Sequence, residues 1–142
     1  MKVLKKYILA MVVFIFSVIL IPASASGLQE IKISLDGLPI VTETKPVIRD
    51  DRVMVPFRAV AESLNAQVSW DPDSQKVTAM QDGVIVVLQI GNQTAWLNGV
   101  AVSLDRPPMI INGRTLIPLR FFAESLGCQV NWDGQAYEVS IT

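Results

Sequence analysis

Histidine is absent from the 142 residues, and cysteine occurs once, at Cys128. Without histidine there is no Ser-His-Asp or Cys-His arrangement, and the commonest side-chain ligand for copper or zinc is missing. A lone cysteine excludes an intrachain disulfide. No Gly-rich phosphate loop and no Gly-x-Ser-x-Gly elbow occurs, which removes the usual signatures of nucleotide and acyl chemistry. Asp71-Pro72-Asp73-Ser74 carries two acids but not the further oxygen ligands or the glycine of a calcium loop, so its residues read as turn formers. The sequence is therefore predicted to be non-enzymatic and to carry no cofactor or metal.

At the N-terminus, Lys2, Lys5 and Lys6 precede an apolar run from Ile8 to Ile21, and Ala23-Ser24-Ala25 follows Pro22. That is the three-part pattern of a secretory signal peptide, residues 1–25, with cleavage predicted after Ala25. The alternative, an uncleaved anchor, meets a run shorter than the roughly 20 residues that span a bilayer. The mature chain, Ser26–Thr142, keeps 9 Lys and Arg against 13 Asp and Glu, a net charge of 9 − 13 = −4. An acidic chain with no basic cluster is not built for nucleic acid or for an anionic membrane. The predicted location is secreted, extracellular or envelope-associated.

What is present is a repeated stretch. Val53–Asp71 reads VMVPFRAVAESLNAQVSWD and Thr115–Asp133 reads TLIPLRFFAESLGCQVNWD. Pro56 pairs with Pro118, Arg58 with Arg120, Glu62 with Glu124 and Trp70 with Trp132, each 62 positions apart (118 − 56, 132 − 70) without a gap. Repetition at a fixed period makes two homologous units the first expectation, at about residues 29–80 and 91–142. Cys128 falls opposite Ala66, so its site is expected to want a small packed side chain.

Alternating Ile31, Ile33 and Leu35 lead into Asp36-Gly37, and Leu38–Val41 returns. Ala95–Leu97, Asn98-Gly99 and Val100–Ser103 repeat the device. Both are two-residue hairpin signals. Val47-Ile48 and Met109–Ile111 turn back through Asp50-Asp51 and Asn112-Gly113 into Val53–Val55 and Thr115–Ile117. The charges around Asp50 read as a solvated turn. Pro56 and Pro118 then open helices whose Phe57, Val60, Ala61 and Leu64, matched by Leu119, Phe122, Ala123 and Leu126, share one face. Asn65 and Gly127 close them. Strands are expected at Gln67–Asp71 and Gln129–Asp133, at Lys76–Met80 and Glu138–Ile141, and at Val84–Ile90, which has no counterpart. The predicted fold is α+β: a mainly antiparallel sheet around one short helix in each unit, the two units sharing strands or packing by a pseudo-twofold to form one compact domain.

Arg58 with Glu62 and Arg120 with Glu124 are expected to be helix-surface ion pairs, or arginines tying strand carbonyls to the helix, ahead of carboxylate or phosphate binding near the helix N-terminus. The repeated carboxylates also suggest a glycosidase pair, and surface packing explains them more simply. Trp70 and Trp132 are expected to pack at the core or its rim, with sugar-stacking platforms as the alternative. Trp96, opposite Ser34, is not needed by the repeat and is the first candidate for ligand or partner contact, with Tyr137 second.

The double pattern, Gly113–Gly127 followed by Val130–Asp133, with Leu97–Gly99 and Pro107-Pro108 before it, resembles the copper amine oxidase N-terminal (stalk) domain family of secreted Gram-positive proteins. The first unit departs modestly, with Asp51 and Asn65 where the pattern has glycine. The resemblance implies a non-catalytic sheet-on-helix module, remote from the copper and quinone of a catalytic domain that this sequence lacks. It implies a stalk or protein-contact role in the cell envelope, with binding of cell-wall polysaccharide as the alternative and a minimal hydrolase a distant third. Partners are accordingly an envelope protein or wall polysaccharide. The unmatched strand at Val84–Ile90 is expected to offer an edge for a homodimer.

Overall fold

The computed structural model describes residues 27–142; the signal-peptide expectation falls on 1–26, outside the described residues. No described helix is long and apolar enough to cross a membrane.

Short alternating runs separated by turn pairs give thirteen strands and two helices among the described residues. The first hairpin is β1 (Lys32–Leu35) and β2 (Leu38–Pro39), followed by β3 (Val47–Arg49) and β4 (Arg52–Pro56). Helix α1 (Phe57–Ser63) leads to β5 (Gln67–Asp71), β6 (Lys76–Gln81) and β7 (Val84–Gln89). Strands β8 (Thr94–Leu97), β9 (Val100–Ser103), β10 (Met109–Ile111) and β11 (Arg114–Pro118) follow. Helix α2 (Leu119–Ser125), β12 (Val130–Asp133) and β13 (Glu138–Ile141) complete the order. The tight hairpins turn as their residue types require: Asp36-Gly37, Asp82-Gly83, Asn98-Gly99 and Asn112-Gly113 all adopt positive φ, the conformation that matches the twist of the flanking strands. Asn65 at φ 59° and Gly127 at φ 85° end the helices in the left-handed conformation.

The strands form three sheets, in the orders β12-β13-β1-β2, β10-β11-β4-β3 and β5-β6-β7-β8-β9. Every ladder is antiparallel except β1 with β13, which is parallel from Lys32↔Glu138 to Leu35↔Ile141. The central sheet joins β4 to β11 with Val55 opposite Ile117, Met54 opposite Pro118 and Leu116 opposite Pro56. In antiparallel pairs the hydrogen-bonded and non-bonded positions alternate. Counting from the Asp50-Asp51 turn, Val55 turns its N–H and C=O toward β11 while Pro56 turns away, so the missing proline N–H breaks no bond of this ladder.

The halves share strands, one of the two arrangements expected from the repeat, rather than each enclosing its own helix. Helix α1 packs between β5 and the other half's β11, and α2 between β12 and β4. The expected faces are buried, Phe57, Val60 and Ala61 on one helix and Leu119, Phe122 and Ala123 on the other. Phe57 and Phe122 meet edge to face with centroids 5.6 Å apart. Val77, Val86, Leu88, Val139 and Ile141 complete one continuous core.

One expectation is corrected. Val84–Ile90 supplies no free edge: β7 is paired on both sides, with β6 and β8. The homodimer edge expected there does not exist. Of the two places expected for Trp70 and Trp132, the core or its rim, the structure has the rim: they are 38% and 39% exposed, because β5 and β12 are the outermost strands of their sheets.

Asp71 caps its own turn. Its carboxylate accepts from the Ser74 hydroxyl at 2.5 Å and from the Asp73 N–H at 3.0 Å. Those two bonds, the hydroxyl first, hold its pKa below the ordinary aspartate range. A depressed carboxylate stabilises the fold above its unfolded pKa, and the contribution vanishes as pH falls through the folded value. Asp71→Ala is therefore expected to lower the melting temperature at neutral pH and to converge on wild type at strongly acidic pH. Thermal scans from neutral to below pH 3 check this; parallel curves for the two proteins refute it.

Candidate functional site

Two open grooves flank the helices, one of about 820 Å³ beside α1 and one of about 660 Å³ beside α2. The first takes Pro56, Phe57, Arg58 and Glu62 from the α1 region, Trp70 and Val77 from β5 and β6, Val41 and Glu43 from the preceding loop, and Ile110, Arg114 and Thr115 from the other half's hairpin. The second takes Pro118, Leu119, Arg120, Glu124, Trp132 and Val139, with Ser103, Asp105, Ile48, Arg52 and Val53. All residues lining the first groove except Thr44 and Ser63 have a counterpart 62 positions away lining the second. All eight repeat-pair residues, Pro56, Pro118, Arg58, Arg120, Glu62, Glu124, Trp70 and Trp132, thus lie in these two grooves.

Each groove carries two ion pairs. Arg58 donates to Glu62 and Arg120 to Glu124, both at 3.3 Å along the helix surface. Across the halves, Arg114 reaches Glu43 at 2.6 Å and Arg52 reaches Asp105 at 2.7 Å. These side chains are largely exposed, so each pair contributes at most about 1 kcal/mol. Their effect is to leave the groove rims studded with donors and acceptors of both signs. The cross-half pairs escape a reading of the sequence that treats the Asp50 region as a solvated turn. The signal was the recurrence of an acid at positions 43 and 105, matching that of Arg52 and Arg114.

Trp96 and Tyr137 are not brought together. Trp96 lies on β8 in the five-stranded sheet, half-buried, with the Lys76 ammonium 5.3 Å from its ring centroid. Tyr137, in the turn before β13, packs edge to face on Trp132 with centroids 5.3 Å apart. Tyr137 thus supports an aromatic of the second groove, whereas Trp96 lines neither groove. Cys128 is partly buried against the core, and burial raises its thiol pKa, which disfavours the reactive thiolate.

The described residues contain no group of three or more His, Cys, Asp or Glu able to hold a metal ion. Each groove has an indole face, arginines and carboxylates, all set on a β-rich scaffold. The molecule is, by class, a small β-rich module of two interlocked halves with a matching groove on each.

The model of one family, the copper amine oxidase N-terminal domain, matches residues 34–141, and the chain belongs to that family. A protein named protease inhibitor from Brevibacillus choshinensis is 25% identical over 119 residues, covering 84% of this chain and 36% of that protein. A primary amine oxidase from Klebsiella aerogenes is 31% identical over 64 residues, covering 45% of this chain and 8% of the enzyme. The chain spans about a third of the length of the first relative and under a tenth of the second. The family name carries copper, and these residues do not fit it: the chain has no histidine.

Proposed function

We propose that the chain is a secreted, non-catalytic module of the cell envelope, made of two homologous units, that works through protein contacts at its two grooves. The observation that carries this reading is the pair of matching grooves, each assembled from one half's helix and the other half's hairpin. Open apolar floors with charged rims are what a protein partner's side chains meet at a specific interface. The relative named as a protease inhibitor supports the reading, since it aligns with most of this chain.

Wall polysaccharide is the second reading. Trp70 and Trp132 favour it, because a partly exposed indole beside paired Arg and Glu offers a stacking face next to hydrogen-bonding groups.

A photoreactive residue at Ala59, in the first groove, is compared in intact cells with one at Ala101 on the exposed β9 strand. Discrete protein adducts from position 59 and none from 101 are expected. The protein reading fails if position 59 yields no adduct while retention on purified wall polysaccharide is lost in the Trp70→Ala/Trp132→Ala double variant.

A further inference from the structure

The two grooves differ at the strand edge beside each of them. Gln129 and Thr142 exchange backbone hydrogen bonds at 2.7 and 3.0 Å, so by antiparallel alternation Val130 and Trp132 turn their N–H and C=O away from β13, toward the open side. That edge is already occupied: the Arg120 guanidinium donates to the Val130 carbonyl at 3.0 Å. A side chain placed on an edge carbonyl is a means of keeping other strands off.

Strand β5 has the same orientation without that protection. The Asp82-Gly83 turn makes Gln81 and Val84 the hydrogen-bonded flanks of its hairpin. Met80 therefore turns its backbone groups toward Gln67 of β5, and Val68 and Trp70 turn theirs outward. The counterpart arginine, Arg58, donates only to Glu62 among the described residues. No described side chain accepts from or donates to the backbone of Val68 or Trp70. The β5 edge is five residues long and its side chains are mostly exposed. The adjacent groove is also the larger one, with Ala59 where the second groove has Phe121.

From this asymmetry we infer that the first groove binds an extended peptide segment of a partner protein by strand addition to β5, and that the second groove does not. The inference rests on the protein-contact reading and sharpens it. The occupant is a strand of about five residues, the common strand length, pairing with the outward backbone groups of Val68 and Trp70. Its alternate side chains lie against Trp70 and Ile110, both substantially exposed apolar groups. The side chains between them face solvent at the Arg58 and Arg114 rim. A helical ligand would leave the β5 backbone groups unused, since its own donors and acceptors are satisfied internally. A strand satisfies them.

Random 12-residue peptides displayed on phage are selected against residues 26–142, and the winners are synthesised. They are expected to bind wild type and Val100→Ala, an exposed β9 residue outside both grooves, alike, and Trp70→Ala on the order of tenfold more weakly. Bound peptide should protect the Val68 and Trp70 amides from hydrogen exchange but not those of Val130 and Trp132. N-methylation of the peptide at alternate central positions should reduce affinity on the order of tenfold, as loss of one interfacial hydrogen bond does. This last test leaves the protein unaltered. Peptides that bind without protecting Val68 and Trp70 overturn the β5 site and leave the protein-contact reading standing. No enrichment, together with retention of the protein on purified wall polysaccharide, overturns both.

Discussion

Phe122→Ala is expected to destabilise the fold by about 3–5 kcal/mol, the range for truncating a buried phenylalanine. Phe122 is fully buried and packs edge to face on Phe57, so the substitution opens a cavity where the two helices meet. A domain of this size has a total stability of roughly 5–15 kcal/mol, and at about 4 °C per kcal/mol the midpoint should fall by about 12–20 °C. Its neighbour is the control. Phe121 is only partly buried and lines the second groove, and its counterpart at the same helix position is Ala59. Phe121→Ala should thus cost about 1 kcal/mol, an ordinary value for a single substitution. Urea or thermal unfolding of the two variants side by side checks the contrast. Equal losses would mean that the helices do not meet through Phe122.

The helices were legible in sequence because the information is local. A proline at the strand-to-helix change, an apolar residue at each i, i+3 and i+4 position and a left-handed terminator are all encoded within about ten residues. The hairpin turns were legible for the same reason. Strand partnership beyond the hairpin was not, because nothing in Ile31–Leu35 distinguishes a strand that pairs within its own half from one that crosses to Glu138–Ile141. The interior position of β7 depended on that same long-range choice. An unmatched apolar strand fits an open edge and a central slot equally well until its neighbours are known.

The grooves were half legible. Recurrence singled out Pro56, Arg58, Glu62 and Trp70 with their partners, and all eight line the grooves. Recurrence alone could not say that Ile110 and Arg114 would complete the wall beside Arg58, since that requires the β4–β11 pairing. It also hid the asymmetry. Arg58 and Arg120 hold the same position of the repeat, yet only Arg120 lies on a strand carbonyl. Trp96 drew attention because it breaks the repeat, but it lines neither groove and has the Lys76 ammonium over its ring.

Removal of β1 and β2 is the second large effect expected. Strands β6 and β8 both run antiparallel to β7 and therefore parallel to each other. In the four-stranded sheet β13 and β1 have the same relation with nothing between them. Strand β7 thus fills in one half a slot that is closed up in the other, where β13 depends directly on β1. Deleting residues 27–41 strips that edge of its partner, removes Ile33 from the core, and uncovers Val139 and Ile141, all of which are buried. Loss of one buried isoleucine costs about 2–5 kcal/mol; with two more core residues exposed, the total approaches the roughly 5–15 kcal/mol available. The truncated chain should lose cooperative melting, or associate through the freed β13 edge, which presents unpaired backbone groups to a second chain. A synthetic peptide of residues 29–41 added in trans should restore cooperative melting and a monomeric mass, because the β1–β13 ladder needs no covalent link to form. Gel filtration and circular dichroism of the truncated chain, with and without that peptide, decide the matter: a monomer that melts like the full chain would show that β13 does not rely on β1.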